Sequence, residues 1–357
     1  MAPLPDPSFW RGKRVFLTGH SGFVGGWTGY WLSLLGAEVT GFALPPPSNP
    51  HFSGHVALHT RLKSIEGDVR DAAHLERAMR AADPEILLHL AAQPIVREAY
   101  KNPVDSFATN VMGTVHALEA ARGCSRLRTT IVFTTDKVYR NRETGQAYLE
   151  SDELGGDEPY SASKSASELV AEAYANRYMK DDAGLATIRA GNIIGGGDWA
   201  ADRLVPDAVR AFGQGRVLEI RRPDAVRPWQ HVLEAARGLL LLTEALSKQP
   251  KEFHGAWNLG PAQASAAPVR RVVEILVKAW GNNAAWANTG GDGIPEAGLL
   301  MLNSAKAAER LNWANAWSLE EALEQSIAWY RAANDGQDMA AFTTAQIAAY
   351  ADKVRGL

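Results

Sequence analysis

A tyrosine and a lysine stand four residues apart in the segment EPYSASK, as Tyr160 and Lys164. Pro159 suits the first turn of a helix, and residues four apart then share one helix face at a separation of about 6 Å. A nearby ammonium favours the ionised form of a phenol, so the pair is a candidate for proton removal from a substrate. The same spacing also arises by chance, and an ordinary partly buried helix face is the alternative.

An acid and a base stand side by side in the segment TTDKVY, as Asp136 and Lys137 directly after Thr135. The apolar run IVF before them predicts a buried strand, which places the three residues at the end of that strand. Adjacent groups of opposite type are candidates for general acid and base chemistry. The alternative is that Lys137 only pairs with Asp136 or with a substrate.

Three glycines follow the first predicted strand in LTGHSGFVGGW, with Gly19, Gly22 and Gly25 in a GxxGxxG spacing. Glycine permits a tight turn and lets backbone amides approach a pyrophosphate at the start of a helix. In a chain with 32 glycines the spacing alone is weak, but its position between a strand and a helix favours dinucleotide binding.

Two further strand ends carry candidate ligand contacts. Asp68 follows the third predicted strand, where its carboxylate could accept a hydrogen bond from an adenine amino group or could cap the helix beginning near Asp71. Ala91 and Ala92 follow the fourth strand and leave room for a ligand. His89, on that strand, is expected to pack or to satisfy a hydrogen bond in the core.

The elements that must position these residues alternate in type. Short apolar or β-branched runs separated by helix-length segments predict a parallel sheet wrapped by helices, from KRVFLTG through AEVTGFAL, KSIEGD, EILLHLAA and RTTIVFTT to GLATIRA. After about residue 190 the pattern loosens into loops rich in Gly, Pro and Arg. We therefore expect a dinucleotide-binding domain over residues 1–190, with later segments returning to it, and mainly a substrate-binding lobe over residues 191–357.

Composition narrows the classes of function. The chain has 357 residues, is 46% hydrophobic and carries a net charge of −3, so it has no general basic field for nucleic acid or an anionic membrane. Cys124 is the only cysteine, which excludes an internal disulfide and a thiolate zinc cluster. No apolar stretch reaches the ~20 residues of a membrane span. We predict a cytoplasmic protein with no metal, nucleic-acid or membrane partner.

These motifs together resemble one family. In order and separation, the three glycines, Asp68, the LAAQ segment, Thr135 and the Tyr160/Lys164 pair resemble the extended short-chain dehydrogenase/reductase family of nucleotide-sugar enzymes, over essentially the whole chain. Longer segments resemble the branch of that family that dehydrates CDP-glucose: AAQPIVREAY, ESDELGGDEPYSASK, RAGNIIGGGDWAADRLVPD and DAVRPWQHVLE. The resemblance implies an α/β Rossmann-type doubly wound parallel sheet with a smaller C-terminal substrate-binding lobe, NAD as cofactor, and CDP-glucose as substrate.

The resemblance also implies roles for individual residues. Thr135 and Tyr160 hold and deprotonate the sugar 4-hydroxyl, Lys164 binds the nicotinamide ribose, and Asp136 and Lys137 occupy the position that carries out dehydration. The implied substrate contacts are Asn192, Arg203, Arg227 and His231. The implied cofactor contacts are Gly19, Gly22, Phe23, Gly25, Asp68, Val69, Leu90, Ala91, Tyr160 and Lys164.

Two positions depart from the family pattern. The second strand ends in GFAL, without the acidic residue that usually binds an adenosine ribose, so the motif by itself does not exclude NADP. Val24 stands where a lysine is expected after the phenylalanine of the glycine turn.

Three alternatives to the implied activity stay open at the sequence level. They are a dehydratase for another nucleotide sugar, a 4-epimerase, and a non-catalytic protein that senses a dinucleotide. A sensor has no need of Thr135, Tyr160 and Lys164 together, and an epimerase has no need of the acid and base beside the threonine. The resemblance further implies a homodimer formed by helices near residues 101–121 and 157–180, whose small residues would allow close packing (Ala162, Ala166, Ala171 and Ala173).

Overall fold

The computed structural model describes residues 2–180, 182–261, 266–281, 283–290 and 298–357. Its strands are β1 (Arg14–Thr18), β2 (Glu38–Ala43), β3 (Lys63–Glu66), β4 (Ile86–His89), β5 (Thr129–Phe133), β6 (Gly184–Ala190), β7 (Ile193–Ile194), β8 (Leu218–Ile220), β9 (Val226–Arg227), β10 (Gln230–His231), β11 (Gly255–Leu259), β12 (Ala267–Pro268) and β13 (Trp286–Asn288).

The helices are α1 (Pro7–Trp10), α2 (Phe23–Leu34), α3 (Phe52–His55), α4 (Ala72–Ala82), α5 (Val96–Lys101), α6 (Pro103–Phe107), α7 (Gly113–Arg122), α8 (Pro159–Arg177), α9 (Leu204–Gly213), α10 (Val232–Lys248), α11 (Pro250–Phe253), α12 (Val269–Trp280), α13 (Ala305–Leu311), α14 (Leu319–Asn334) and α15 (Met339–Arg355). A π-helical turn, Ala108–Met112, joins α6 to α7, and 3₁₀ turns form at Leu58–Thr60 and Asp136–Val138.

Within the described residues, seven strands form one parallel sheet in the order β11-β6-β5-β4-β1-β2-β3. The six runs predicted as strands are β1 to β6. The chain builds outward from β1 in one direction and then crosses to β4 to build in the other. Ligands of such sheets bind beyond the carboxyl ends of the strands at this point of reversal.

Helices cover both faces of the sheet because successive side chains of a strand point to opposite faces. On β1, Val15 and Leu17 join one apolar cluster, whereas Phe16 joins another. The first cluster includes side chains of α2 and α10, and the second includes side chains of α4 and α7. The predicted doubly wound fold is therefore confirmed.

The chain beyond residue 190 supplies the smaller lobe and also returns to the sheet. Strand β11 extends the sheet by pairing with β6, while β7, β8 and β9 pair with β10, β13 and β12 in two-stranded ladders. Helix α10 is buried around most of its circumference, because it packs on the sheet and is also covered by the lobe. None of the helices in the described ranges is long and apolar enough to cross a membrane.

Candidate active site

Helix α8 presents Tyr160 and Lys164 from its first two turns. The helix begins with a capping box: the Glu158 carboxylate accepts hydrogen bonds from the backbone amides of Tyr160 (2.7 Å) and Ser161 (2.8 Å), and Pro159 occupies the first turn. Tyr160 and Lys164 are both buried and both line one cleft at the carboxyl ends of the strands. The predicted pairing of these two side chains on one face is therefore present.

The segment TTDKVY forms a turn at the carboxyl end of β5. Thr135 caps the 3₁₀ turn Asp136–Val138, and its hydroxyl donates a hydrogen bond to Asp136 Oδ1 at 2.9 Å. The ammonium of Lys137 lies 5.8 Å from the centre of the Tyr160 ring. The structure thus brings together the five residues that the sequence singled out for chemistry: Thr135, Asp136, Lys137, Tyr160 and Lys164.

Burial dominates the ionisation of the tyrosine and the lysine. It raises the pKa of Tyr160 to about 12, although a hydrogen bond with Thr135 and the charge of Arg203 act in the opposite direction. It lowers the pKa of Lys164 to about 8, although the charge of Glu168 raises it. The Lys164 ammonium donates a hydrogen bond to the carbonyl of Phe133 at 2.8 Å. The expectation that a nearby ammonium favours the phenolate is outweighed here, because the phenol is removed from water.

The Asp136 carboxyl is enclosed between Thr135 and Gly191. Its Oδ2 atom is buried and has no hydrogen-bond partner among the described atoms. A Cβ atom at position 191 would lie 2.0 Å from this oxygen, so only glycine leaves room for it. Burial raises the pKa of Asp136 against the opposing charges of Lys137 and Arg227. A carboxyl whose pKa is raised holds its proton to higher pH, which favours a role as an acid.

A polar network behind the catalytic face was not found from the sequence. The amide of Asn110, in the π-helical turn, donates to Ser163 Oγ on α8 at 2.8 Å and accepts from the backbone of Gln93 at 2.8 Å. This side chain therefore links the loop after β4 to the helix that carries Tyr160. A lone asparagine in an apolar helix is too common a pattern to be recognised from sequence.

The glycine turn between β1 and α2 is packed too closely for side chains. At Gly19, where φ is +78°, a Cβ atom would lie 2.7 Å from the Ala91 backbone nitrogen, and at Gly25 it would lie 2.1 Å from the Gly19 carbonyl oxygen. Gly22 is the N-cap of α2 and makes no side-chain cap, so the first amides of the helix remain available to an anion. Phe23 opens this helix, and Val24 and Leu90 line the cleft beside it. This cradle fits the pyrophosphate of a dinucleotide.

The carboxylate of Asp68, which follows β3, pairs with Arg70. Arg70 Nη2 lies 2.7 Å from Asp68 Oδ2, and these bonds hold the pKa of Asp68 below its ordinary value. Asp71, not Asp68, caps α4 by accepting a hydrogen bond from His74 at 2.9 Å. The capping alternative for Asp68 is therefore wrong. Val69 is buried against Gly113 and does not line the cleft.

The cleft has a volume of about 400 Å³ and runs from the five candidate catalytic residues into the second lobe. Asn192, held at a φ of +40°, and Arg203 line it, as does Arg227, which donates to the Val226 carbonyl at 2.8 Å. Three more arginines, which no sequence motif indicated, also line the cleft: Arg97, Arg221 and Arg222. Two of them, Arg97 and Arg221, approach Asp202 at 3.5 and 3.6 Å. Several guanidinium groups are thus gathered where an anionic ligand would lie.

His231 does not lie in the cleft, which corrects its assignment as a substrate contact. Its ring is fully buried between Trp27 and Trp317, and its Nδ1 atom accepts a hydrogen bond from the Leu233 amide as the N-cap of α10. Burial lowers the pKa of His231 to about 3, so it is a neutral core residue. His89 is also a core residue as expected, because Nδ1 lies 2.8 Å from Thr18 Oγ1.

Comparison with known proteins identifies the family. Residues 15–260 match the NAD dependent epimerase/dehydratase family. The chain belongs to this family. It is 41% identical, over 97% of its length and 98% of the relative, to CDP-glucose 4,6-dehydratase of Salmonella typhimurium. It is 25% identical, over 89% of its length and 98% of the relative, to a dTDP-glucose 4,6-dehydratase of an Actinoplanes species.

Solved structures of this epimerase/dehydratase family share the fold. The dTDP-glucose 4,6-dehydratase DesIV of Streptomyces venezuelae, solved with NAD bound, superposes with a TM-score of 0.78 at 24% identity, covering 92% of this chain and 99% of that one. The UDP-glucose 4-epimerase of Thermotoga maritima superposes with a TM-score of 0.77 at 21% identity, covering 89% and 98% of the two chains. Membership of the family confirms NAD as the predicted cofactor, although β2 ends without an acidic residue.

Proposed function

We propose that this chain is a CDP-glucose 4,6-dehydratase, which converts CDP-glucose to CDP-4-keto-6-deoxyglucose by internal hydride transfer and loss of water. The observation that carries the proposal is the placement of a buried acid and a lysine, Asp136 and Lys137, beside Thr135 and Tyr160 at one end of the cleft. The Salmonella relative, similar over almost the full length of both chains, supports CDP-glucose as the substrate.

The cofactor supplies the redox chemistry. When bound, NAD would accept a hydride from C4 of the sugar and return it to C6, so that no reductant is consumed overall. The glycine cradle between β1 and α2 would hold its pyrophosphate, and Lys164 would hold the nicotinamide ribose.

The side chains move the protons. Tyr160 removes the proton of the 4-hydroxyl, and Thr135 orients that hydroxyl. Burial raises the pKa of Tyr160, so the phenolate depends on positive charge beside it, which Lys164 and the oxidised nicotinamide of bound NAD would supply. Once C4 is a ketone, the C5 proton becomes acidic and Lys137 removes it. Asp136 protonates the C6 hydroxyl as it leaves, for which its raised pKa is suited. When the hydride returns to C6, Lys137 gives a proton back to C5, which completes the reduction of the C5–C6 double bond. The acid and the base lie next to each other because the hydroxyl and the proton are lost from adjacent carbons.

The arginines of the second lobe bind the nucleotide diphosphate. Arg203 and Arg227 line the cleft beyond the catalytic residues. Asn192 also lines the cleft, and in the sequence it lies between the catalytic residues and these two arginines. Guanidinium groups recognise phosphate oxygens by paired hydrogen bonds, so these side chains fix the distance between the nucleotide and the reacting sugar.

Product analysis tests the proposal. Purified protein should convert CDP-glucose to CDP-4-keto-6-deoxyglucose with at most catalytic NAD and no lasting accumulation of NADH. Among the CDP, dTDP, UDP and GDP sugars, CDP-glucose should give the highest kcat/KM. Stoichiometric NADH would exclude the internal transfer, and a preference for dTDP-glucose would place the enzyme with the neighbouring dehydratases.

We also propose that the enzyme is a homodimer. Four apolar side chains on neighbouring helices are exposed, and we call them the bundle face: Val104 and Phe107 on α6, Met112 in the π-helical turn, and Leu169 on α8. Of the alanines expected to pack between subunits, Ala162 and Ala166 are half-buried and Ala173 is exposed. Ala171 is fully buried against Leu118 and Leu185 of its own chain, so it is not available to a partner.

A further inference from the structure

A buried ion pair lies directly behind the catalytic residues and takes no part in the proposed proton transfers. Glu168 on α8 and Arg189 on β6 have side chains that are only 3% and 5% exposed, with Glu168 Oε2 at 2.8 Å from Arg189 Nη2. Burying two charges costs solvation energy that their attraction rarely exceeds, so such a pair contributes little to stability by itself. Its position therefore calls for another explanation.

Glu168 touches the two segments that carry the catalytic groups. Its carboxylate accepts hydrogen bonds from the hydroxyl of Thr134, which directly precedes Thr135, and from the hydroxyl of Thr187 on β6 at 2.7 Å. On α8 it stands four residues after Lys164, so the two side chains share one helix face. A single carboxylate thus joins the end of β5, strand β6 and the helix of Tyr160 and Lys164.

Arg189 extends the connection to the other end of the TTDKVY segment. Its Nη1 atom donates to the Tyr139 hydroxyl at 2.9 Å and to the Glu150 carbonyl at 3.0 Å. The Tyr139 hydroxyl in turn donates to Asn258 on β11 at 2.7 Å. Thr134 and Tyr139 flank the turn that carries Asp136 and Lys137. Glu168 bonds to Thr134 and Arg189 bonds to Tyr139, so the ion pair holds the turn on both sides.

We propose that Glu168 is a positioning residue of the active site, which holds the β5 turn against α8 and keeps a negative charge one helical turn beyond the Lys164 ammonium. This inference rests on the proposed dehydratase function for its kinetic consequence, but not for its structural one. Lys164 must be charged to stabilise the Tyr160 phenolate. Burial alone works against that charge, and the Glu168 carboxylate works for it.

The other ionisable groups around Lys164 do not supply the same charge. His89 on β4 is neutral because burial lowers its pKa to about 3. Tyr160 on α8 is the group that Lys164 serves, and burial raises the pKa of Asp136 after β5, which disfavours its negatively charged form. Arg189 on β6 is a cation and supplies no negative charge. Loss of the Glu168 charge should therefore lower the pKa of Lys164.

The kinetic test measures the rate of hydride transfer at a series of pH values, from NADH formation in a single turnover. The quantity that is followed is the alkaline limb of this pH profile, where the rate falls as the pH rises. In Glu168→Gln that limb should move to lower pH by about one unit, with kcat reduced more than KM changes. Glu168→Asp, which keeps the charge, should return the limb towards the wild-type position. Thr187→Val, which removes one hydrogen bond to Glu168 without its charge, is the matched control and should leave the limb in place. A uniform loss of rate at every pH would overturn the proposal.

A second measurement needs no substrate. The pKa of Lys164 can be followed by NMR of protein labelled with ¹³C at the lysine ε-carbon, with the signal assigned by its loss in Lys164→Arg. It should fall in Glu168→Gln and also in the double variant Glu168→Gln/Arg189→Met, which leaves no unpaired buried charge. An unchanged Lys164 titration, or a double variant that does not fold, would assign the pair a purely structural role. If wild-type protein forms no product from CDP-glucose, the proposed function fails while this titration still decides the role of Glu168.

Discussion

At the scale of single residues, Lys137 is proposed to be the base that removes the C5 proton. Lys137→Ala should still oxidise C4 and should trap NADH on the enzyme, because Thr135, Tyr160 and Lys164 are untouched. It should lose exchange of the C5 hydrogen with deuterated solvent by roughly 10²- to 10⁴-fold, the usual contribution of a general base. Mass spectrometry of the recovered sugar measures the exchange.

The control for this variant is Lys278→Ala, which removes an exposed lysine from α12. It should match the wild type in both C4 oxidation and C5 exchange. Wild-type exchange in Lys137→Ala would mean that the lysine only pairs with Asp136 or the substrate, and the base would have to be sought elsewhere in the cleft.

Asp136 should make the stability of the protein depend on pH. Its pKa is raised above the ordinary 3.8, so the native state binds this proton more tightly than the unfolded chain does. The resulting stability is complete below pH 3.8 and is lost as the pH rises through the native pKa. Asp136→Asn cannot ionise, so its unfolding free energy relative to wild type should increase with pH, by at most about 1.36 kcal/mol per pH unit.

Urea unfolding of both proteins between about pH 4.5 and pH 7 measures this difference. The same variant should lose water elimination, because an amide cannot protonate the C6 hydroxyl. A difference in unfolding free energy that stays constant with pH would show that Asp136 is ionised throughout and is not the acid.

Residue types and spacing were enough to find the five catalytic candidates, because their positions follow from a strand end and one helix face. They were not enough for His231, which stands at the end of a two-residue strand and turns into the core between Trp27 and Trp317. They also missed Glu168, whose partners Thr134, Thr187 and Arg189 are distant in sequence or on other elements. Contacts of this kind depend on the packing of the sheet and cannot be deduced from one segment.

Among the elements, α8 has to begin at the right residue for Tyr160 to meet Thr135. Its capping box at Glu158 has a close counterpart at Ser318, which caps α14 in the same way, with Glu321 as its partner. Loss of either cap by substitution with alanine should lower the unfolding free energy by about 1 kcal/mol. Only Glu158→Ala should also slow C4 oxidation, because only α8 carries catalytic groups.

Thermal unfolding and single-turnover NADH formation separate the two effects. Ser318→Ala should lose stability with the wild-type rate retained. If both variants keep that rate, the start of α8 does not control the position of Tyr160, and the packing of the helix on the sheet would be sufficient.

The sequence predicted the order of strands and helices up to β6, but it did not predict the last strand of the sheet, β11. Runs from KRVFLTG to GLATIRA contain enough β-branched and apolar residues to be recognised as strands of a parallel sheet. The run GAWNL of β11 contains none of the β-branched residues, and it follows a chain segment dominated by loops and helices. Its assignment depends on pairing with β6, which is a tertiary contact.

For the whole molecule, the bundle face predicts how two chains associate. Phe107→Glu combined with Val104→Glu should convert the dimer to a monomer at micromolar concentration, because each charge would be buried against a second copy. Light scattering coupled to gel filtration measures the mass. Val217→Glu, at an exposed valine after α9, is the control and should leave the mass unchanged. A wild-type monomer at the same concentration would contradict the proposal.

The late position of β11 has a consequence for synthesis on the ribosome. Every residue of β6 is buried, and one edge of that strand is covered only when β11 pairs with it. A nascent chain that has emerged as far as β6 therefore presents an apolar strand with an open row of amides and carbonyls, which is a template for association with other chains. The β6 edge can be paired only after Leu259 has left the exit tunnel, so the edge is open to association with other chains during the interval between these two points.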